Sequence, residues 1–370
     1  MQFRRLILAA LFLGTTFGLS AQDIHYTLHD MSPLWLNPAH TGAFSGSIRV
    51  SGHYRADYLG HSGINTPNLS IDAPIIRGLR KQDWIGGGAN LIYDQANSTG
   101  GDVIRNIFGF SAAYHLGLNK NQTSVLTLGA QYSSGSISLQ AKCGVEQYNI
   151  AENLPGGFGQ NGCENLEMGS SMDDPSDSYT DISAGLMYRT VLDVKKNNTL
   201  EMGVAFQHLT GDDYRTFIGD TSLPSGVDSM TTERGGDNST DARSIGSNIH
   251  AHARADFEIS ENIRLMPTVF FQSSAGISTV SAQAWAGLEL KNDMLFKFGL
   301  GYRTSDAGKI LLGFQKDRLQ IAASYDVVLS QQASLLDQSR QGNAVEIAAN
   351  YIFNIYKKPE PKPSILCPQI

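Results

Sequence analysis

The chain has 370 residues, of which 41% are hydrophobic, and 28 Lys and Arg stand against 35 Asp and Glu, giving a formal net charge of −7 at pH 7. An acidic balance without a basic stripe excludes nucleic acid from the expected partners. After the first 21 residues no apolar run reaches the roughly 18 residues of a membrane helix, so a mature chain in a membrane must cross it as strands.

The first 21 residues have the layout of a secretory signal peptide. Arg4 and Arg5 form a positive start, residues 6–17 are apolar, and Ala21 is a small residue at a cleavage point before Gln22. The apolar run is too short to span a membrane as a helix. We therefore expect residues 1–21 to be removed and the mature chain to be exported.

Residues 22–45 are mixed in composition, and we interpret them as an irregular segment with short helical turns. The most informative stretch is Asn37-Pro38-Ala39-His40-Thr41-Gly42. Pro38 fixes its own φ and disfavours helix at Asn37, while Gly42 can adopt a positive φ. The pattern predicts a turn that separates this segment from the first strand.

From residue 46 to residue 356 apolar and polar residues alternate with a period of two. In the first strand Ile48, Val50 and Tyr54 share one face, and Arg49 and Arg55 lie on the other. In a soluble sandwich the apolar face would meet a core, whereas in a membrane barrel it meets lipid and the polar face meets the lumen. One strand does not distinguish these alternatives.

The whole set of strands favours the membrane barrel. About fourteen strands are predicted: 46–57, 62–73, 84–96, 104–118, 123–140, 178–192, 198–211, 243–259, 262–272, 279–291, 294–304, 308–316, 318–330 and 344–356. Many reach the roughly 9–11 residues of a tilted membrane strand, against about 5–6 for a soluble one. We predict an all-β protein whose single antiparallel transmembrane barrel of about 14 strands occupies residues 46–356 and faces outer-membrane lipid.

The lengths of the links between these strands alternate as well. Short links follow the even-numbered strands, at 119–122, 193–197, 260–261, 292–293 and 317, with 75–83 as a longer exception. Long links follow the odd-numbered strands, at 97–103, 141–177, 212–242 and 331–343. Bacterial barrels have short periplasmic turns and longer outer loops, so the parity predicts two periplasmic termini.

The width of such a barrel raises the question of what fills it. A barrel of this size encloses an aqueous lumen unless something occupies it. Because residues 22–45 are irregular and precede the first strand, we expect them to pack into or beneath the lumen as a partial plug. A second expectation concerns residues 357–370, a Pro-rich extended tail that we place in the periplasm.

Polar residues on the strand faces are candidates for binding sites. His250 and His252 share a face with Asp256 and Glu258, an arrangement that could hold a metal, but a lumen wetted by polar groups is the preferred interpretation. No Gly-x-Ser-x-Gly motif occurs, so no catalytic residue, cofactor or metal is assigned.

A second polar group lies on the first two strands. Arg49, His53, Arg55 and Asp57 share a face of the first strand, and Asp72 lies on the next strand. Charged groups of this kind are tolerated where they face water and one another. We interpret them first as a structural network of the lumen, and second as groups that dock the plug.

Three cysteines in an exported chain could mean one disulfide and one free thiol. Cys143 and Cys163 lie in the same irregular link, where we consider a disulfide possible, and Cys367 has no obvious partner. No Cys-x-x-Cys spacing occurs, which argues against a structural zinc site.

Several short motifs occur in a fixed order along the chain. They are Asn37-Pro38-Ala39 with Gly42, Tyr54-Arg55, Ser70-Ile71-Asp72-Ala73-Pro74, Gly86-x-Gly88 with Asp94, and Cys367-Pro368. In this order they resemble the PorP/SprF family of outer-membrane proteins associated with the Bacteroidetes type IX secretion system. The chain departs from the family at Arg55-Ala56-Asp57-Tyr58, where members often have Arg-x-Gln-Trp, and at its Pro-Gln-Ile end.

The resemblance implies a non-enzymatic barrel that helps to export, anchor or present a large secreted protein such as a gliding adhesin. It also implies partners among the periplasmic components of the secretion system. The alternatives are a porin or hydrophobic-solute transporter barrel and, third, a soluble exported β-protein.

Overall fold

The computed structural model describes residues 24–57, 63–80, 82–97, 101–119, 123–141, 176–210, 213–215, 242–244, 247–274, 277–290, 292, 294–304, 307–329 and 343–355. The expected signal peptide, the Pro-rich tail with Cys367 and Pro368, and the pair Cys143 and Cys163 lie outside these residues. Among the residues described, no helix is both long enough and apolar enough to cross a membrane.

The described chain is built almost entirely of strands. They are β1 (Ile48–Asp57), β2 (Ile64–Arg77), β3 (Trp84–Asn97), β4 (Gly101–Gly117), β5 (Ser124–Ala141), β6 (Ser176–Asp193), β7 (Asn198–Gln207), β8 (Asp213–Arg215), β9 (Ala242–Ser244), β10 (Asn248–Ser260), β11 (Ile263–Ser274), β12 (Ile277–Leu290), β13 (Met294–Arg303), β14 (Ala307–Lys316), β15 (Leu319–Val328) and β16 (Ala344–Phe353). Fourteen of them, β1–β7 and β10–β16, form one closed barrel, and β8 pairs only with β9.

The closed barrel confirms the fold predicted from the sequence. Each barrel strand is antiparallel to its neighbours, and β1 closes the barrel by pairing with β16 from Ile48 opposite Phe353 to Asp57 opposite Ala344. The short strands β8 and β9 were not predicted, since three residues are too few to show a period of two. The predicted strand 243–259 also begins too early, because β10 starts at Asn248.

The burial of alternate residues is inverted relative to a soluble protein. On β1 the side chains of Arg49, His53 and Arg55 are buried, whereas Tyr54 is 45% exposed. On β15 Asp326 is buried and Ile321 is exposed. Because the outward face is apolar and the inward face is polar, the outward face is suited to lipid and the inward face to a polar interior.

The tight links owe their shape to residues that tolerate a left-handed backbone. Asn197, Asn292 and Asp317 have φ values of 51°, 64° and 52°, in the region that Asn and Asp adopt more readily than most residues. Each lies in one of the predicted short links. The short links follow β4, β6, β10, β12 and β14, which run in the same direction in the antiparallel barrel, so these links lie at one end, which we call the short-link end.

Residues 24–45, which we call the lumenal segment, lie inside the barrel. They form a 3₁₀ turn (His29–Met31), the helix α1 (Pro33–Leu36) and a second 3₁₀ turn (Pro38–His40). All of them except His25, Asp30 and Ser45 are buried.

The lumenal segment spans most of the height of the barrel. The carbonyl of Ile24 accepts a hydrogen bond from Gln272, near the end of β11 that is remote from the short links. Two residues beyond the other end of the segment, the amide of Ser47 donates to the carbonyl of Phe353 at the short-link end. The chain therefore runs from near the far end of the lumen to the start of β1.

Candidate functional site

Asn37 connects the lumenal segment to the wall of the barrel. Its Oδ1 accepts a hydrogen bond from the amide of Ala39 at 2.8 Å and so caps the second 3₁₀ turn. Its Nδ2 donates to the carbonyls of Leu186 on β6 and Val204 on β7, both at 3.2 Å. One buried amide thus fixes both the shape of the turn and its position on the wall.

The turn rests on inward-facing glycines of three adjacent strands, Gly129, Gly185 and Gly203, which we call the glycine floor. A Cβ added to Gly185 would lie 2.9 Å from Cγ of Asn37, and one added to Gly203 would lie 2.9 Å from its Nδ2. A Cβ on Gly129 would meet the backbone of Ala39 at 2.6 Å. The turn approaches the wall through its backbone at Gly129 and through the Asn37 side chain at Gly185 and Gly203, so closely that a larger residue at these positions would have to displace it.

Gly86 and Gly88 of the Gly86-x-Gly88 motif allow a similar close approach on β3. A Cβ on Gly86 would lie 2.8 Å from Cα of Gly42, and one on Gly88 would lie 3.0 Å from Cδ2 of Leu34. Gly42 itself has φ +69°, which favours glycine. The stretch Asn37 to Gly42 therefore forms a backbone turn, and Gly86 and Gly88 form the part of the wall against which this turn and Leu34 pack.

Asp72 binds the same turn through its carboxylate. Arg49, directly opposite it on β1, donates from Nε to Oδ1 at 2.9 Å and from Nη2 to Oδ2 at 2.7 Å. The amide of Gly42 donates to Oδ2 at 2.6 Å. The polar network predicted for Arg49 and Asp72 is thus extended by the lumenal segment itself.

Four consecutive carbonyls of the lumenal segment, those of residues 40–43, each accept a hydrogen bond from a different wall side chain. In the same order the donors are Arg49, His115, Trp84 and Arg189, at 3.0, 2.8, 3.0 and 2.9 Å. Buried carbonyls without a partner are costly, so these donors replace the water that the turn would otherwise bind.

A second carboxylate, Glu346 on β16, binds the other end of the lumenal segment. Its two oxygens accept the amides of Thr27 at 2.6 Å and Leu28 at 2.7 Å. Arg55 donates to one of these oxygens, and His53 Nε2 lies 3.1 Å from the other. The carboxylate is completely buried, and such a charge is tolerated only when it is paired and hydrogen-bonded.

Arg55 joins this carboxylate to two others. Its Nη2 donates to Asp57 at 2.5 Å, and its Nη1 lies 3.5 Å from Asp326. Thr27 donates its hydroxyl to the same Asp326 at 2.6 Å. The group predicted from the alternation of β1 therefore includes partners from the far end of the sequence.

Apolar side chains of the lumenal segment pack against inward-facing apolar residues of the wall. Leu28 and Met31 form a cluster with Met266, Trp285 and Leu311. A second cluster consists of Ile24, Tyr26, Trp35, Leu36, Ile92, Ile107 and Phe270. The interior of the barrel therefore has a hydrophobic core of its own, in addition to its polar network.

Burial also changes the acid–base properties of this segment. Burial lowers the pKa of His29 to about 4, and its ring stacks on Phe270 with centroids 4.7 Å apart. Burial raises the pKa of Tyr26 well above its ordinary value. Both side chains are consequently neutral near pH 7, as expected for groups in contact with apolar side chains.

The histidines of β10 do not form the group that their spacing suggested. His250 contacts Gln207 and the carbonyl of Leu36, and Asp256 is paired with Arg264 at 2.8 Å. His252 instead lies near two residues that are distant in sequence, His40 and Glu201. Sequence spacing did not reveal this cluster, because its members come from three separate elements.

The remaining motif residues have structural positions in the wall. Asp94 accepts hydrogen bonds from Thr66 at 2.7 Å and from Arg105 at 3.4 Å. Pro74 borders a shift in register opposite Gly86, a place where the missing N–H of proline is tolerated.

Comparison with known protein families identifies a match over most of the chain. Residues 18–351 match the family described as "Type IX secretion system membrane protein PorP/SprF". No curated protein matches the sequence.

Solved structures that resemble the chain include the CymD monoaromatic hydrocarbon channel, with 11% identity, a TM-score of 0.47, and coverage of 88% of this chain and 94% of that one. A FadL homologue from Pseudomonas aeruginosa has 13% identity, a TM-score of 0.46 and coverage of 88% and 94%. The P. putida toluene transporter TodX has 9% identity, a TM-score of 0.47 and coverage of 87% and 93%. Similarity at this level does not extend to what those proteins transport.

Proposed function

The chain belongs to the PorP/SprF family of type IX secretion system membrane proteins, and from this premise we propose that it acts as a plugged, non-enzymatic barrel. In this role it assists the export, anchoring or surface presentation of a large secreted protein, such as a gliding adhesin. The family and the closed barrel indicate an outer-membrane protein. Its partners in this proposal are outer-membrane lipid, the secreted protein and periplasmic components of the secretion system.

The observation that carries the proposal is the occupied lumen. The lumenal segment binds the wall through buried carboxylates at both of its ends, Glu346 for Thr27 and Asp72 for Gly42. A solute channel needs a path through its barrel, whereas a docking or anchoring protein does not. The occupied lumen therefore favours the secretion role over an open porin. Transporter barrels can also be plugged, so the preference over a hydrophobic-solute transporter rests on the family match.

Deletion of the gene tests this assignment. We expect loss of surface display of one large secreted protein, measured by labelling of intact cells, with unchanged uptake of small solutes. Complementation with the wild-type gene is the control. Impaired solute uptake with normal surface display would overturn the secretion role and favour the transporter.

We further propose that the short-link end of the barrel faces the periplasm. The start of β1 at Ile48 and the end of β16 at Phe353 pair with each other at that end. From this we infer a periplasmic position for the tail 357–370. The parity of the links predicted two periplasmic termini, but Ile24 lies near the opposite end of the lumen. We therefore propose a periplasmic position for the start of β1 and for the C-terminal tail, and not for the N terminus of the mature chain.

Labelling of Cys367 tests this orientation. A membrane-impermeant thiol reagent is expected to label Cys367 only after the outer membrane is opened, in a variant with Cys143→Ser and Cys163→Ser. A cysteine placed in the link 331–343 serves as the outward-facing control. Equal labelling of Cys367 on intact cells would contradict a periplasmic tail.

A further inference from the structure

Three potential metal ligands meet where the lumenal segment crosses β7 and β10. They are His40 from the lumenal segment, Glu201 from β7 and His252 from β10, and one ligand atom of each lies within 4.8 Å of the others. Nε2 of His40 is 3.5 Å from Oε1 of Glu201, and Nε2 of His252 is 3.8 Å from the same oxygen. The two imidazole rings stack with their centroids 5.2 Å apart.

Hydrogen bonding within the protein does not account for this arrangement. Among the residues that the structure describes, Nε2 of His40 and both ring nitrogens of His252 are buried without a hydrogen-bond partner. The separations of 3.5 and 3.8 Å exceed a hydrogen bond, but they are near the roughly 3.4 Å that separates two ligand atoms bound at about 2.1 Å to a tetrahedral ion. Two of the three separations therefore suit a common ion, and the third is no longer than 4.8 Å.

The second oxygen of Glu201 is already engaged. Arg189 donates to Oε2 from both Nε, at 2.8 Å, and Nη2, and also to the carbonyl of Ala43. Oε1 is left facing the two histidines. Hydrogen bonds of this kind orient the ligands of metal sites and are a normal part of their surroundings.

The surroundings leave room for a further ligand. A cavity of about 20 Å³ is lined by His29 and Asp30 together with the three residues, enough for roughly one water molecule. Arg189 and Arg254 add positive charge nearby, which weakens the binding of any cation, and Asp30 adds negative charge.

We propose that His40, Glu201 and His252 bind one divalent first-row transition metal ion, which cross-links the lumenal segment to β7 and β10. Two imidazoles and one carboxylate suit Zn²⁺ and similar ions, whereas Ca²⁺ and Mg²⁺ prefer oxygen ligands. Three protein ligands leave at least one coordination position for water. The site would hold the lumenal segment in place through a bond that a chelator removes.

Zinc binding to the untagged, metal-stripped protein in detergent micelles tests the proposal. In competition with a chromophoric chelator, we expect one Zn²⁺ per wild-type chain, and an affinity at least about tenfold weaker in His252→Ala. His250→Ala is the matched control, because His250 is buried on the same strand but bonded elsewhere. Equal zinc binding by wild type and by His252→Ala, or none by wild type, would overturn the site.

A measurement on the wild-type protein alone keeps the test decisive if the variant fails to fold. X-ray absorption of the zinc-loaded protein is expected to show nitrogen and oxygen ligands with the outer-shell scattering of imidazole. Sulfur ligands would assign the zinc to the cysteines and overturn the proposal. Limited proteolysis gives the structural consequence, since zinc should protect the lumenal segment and a chelator should reverse that protection.

Discussion

Asn37 forms hydrogen bonds through both the oxygen and the nitrogen of its side-chain amide. It thereby joins the turn of the lumenal segment to the wall of the barrel. Its oxygen serves the turn, and its nitrogen serves the carbonyls of Leu186 and Val204. Asp could replace only the first function, because it has no donor for the two carbonyls. A residue that the sequence marks only as a turn former is thus also the link to the wall.

Asn37→Ala is expected to lower the free energy of unfolding by about 1–3 kcal/mol, since it leaves the buried amide of Ala39 without its acceptor and removes the donor that binds the turn to the carbonyls of Leu186 and Val204. Reversible urea unfolding in detergent or lipid measures the loss. Asn65→Ala is the matched control, since the side-chain bond of Asn65 to the described residues is one that it accepts from Tyr54 at an exposed position. A loss no larger than that of the control would contradict the role of Asn37.

The glycine floor gives a second prediction at this scale. Gly185→Ala is expected to destabilise the protein by about 1–3 kcal/mol, because the added methyl group displaces Asn37 and Pro38. Gly52→Ala is the control, since a Cβ on Gly52 meets nothing within 4 Å. Unfolding midpoints of the two variants compare them directly, and similar midpoints would count against a close approach of the turn.

At the scale of elements, β1 and β16 close the barrel and also bind the lumenal segment. Arg55 on β1 and Glu346 on β16 face each other across this seam, and Thr27 and Leu28 bind the same carboxylate. The seam and the lumenal segment therefore stabilise one another. Removal of the charge at Glu346 should affect both.

Glu346→Gln keeps the size of the side chain but leaves Arg55 with less buried negative charge. We expect a loss of about 3–5 kcal/mol, the usual result of breaking a buried ion pair. Glu289→Gln is the matched control, because the Glu289 side chain is 39% exposed in its pair with Arg264 and should contribute no more than about 1 kcal/mol. Thermal unfolding of both variants measures the difference, and equal losses would contradict the prediction.

At the scale of the whole molecule, the barrel wall and the lumenal segment together form the interior. The wall supplies polar groups and a few apolar ones, and the segment supplies backbone amides, carbonyls and apolar side chains that match them. Without the other, each of the two would leave polar groups without hydrogen-bond partners and apolar side chains without packing contacts. We therefore expect the lumen to be closed over the height that the segment spans.

A variant lacking residues 22–40 tests the closure of the lumen. Its single-channel conductance in a planar bilayer is expected to exceed that of the wild type, because a barrel of this width without its filling holds water. A variant lacking residues 357–370 is the control and should conduct as the wild type does. Unchanged conductance after the first deletion would rule out a plug.

The sequence by itself determined the barrel, its fourteen strands and the face of each strand. These properties depend on the alternation of apolar and polar residues and on link lengths, which are local features of the sequence. For the same reason the inward positions of Arg49, Arg55 and Asp72 could be predicted, whereas the three-residue strands β8 and β9 could not.

Only the tertiary structure decided what these inward residues contact. Glu346 meets Thr27 across 319 positions, and His40 meets Glu201 and His252 from a third element. Such contacts depend on how the closed barrel and the lumenal segment are placed in space, which no local period encodes. The sequence therefore predicted that Asn37 to Gly42 form a turn. Its contact with the glycine floor, and the cluster of His40 with Glu201 and His252, could be identified only from the tertiary structure.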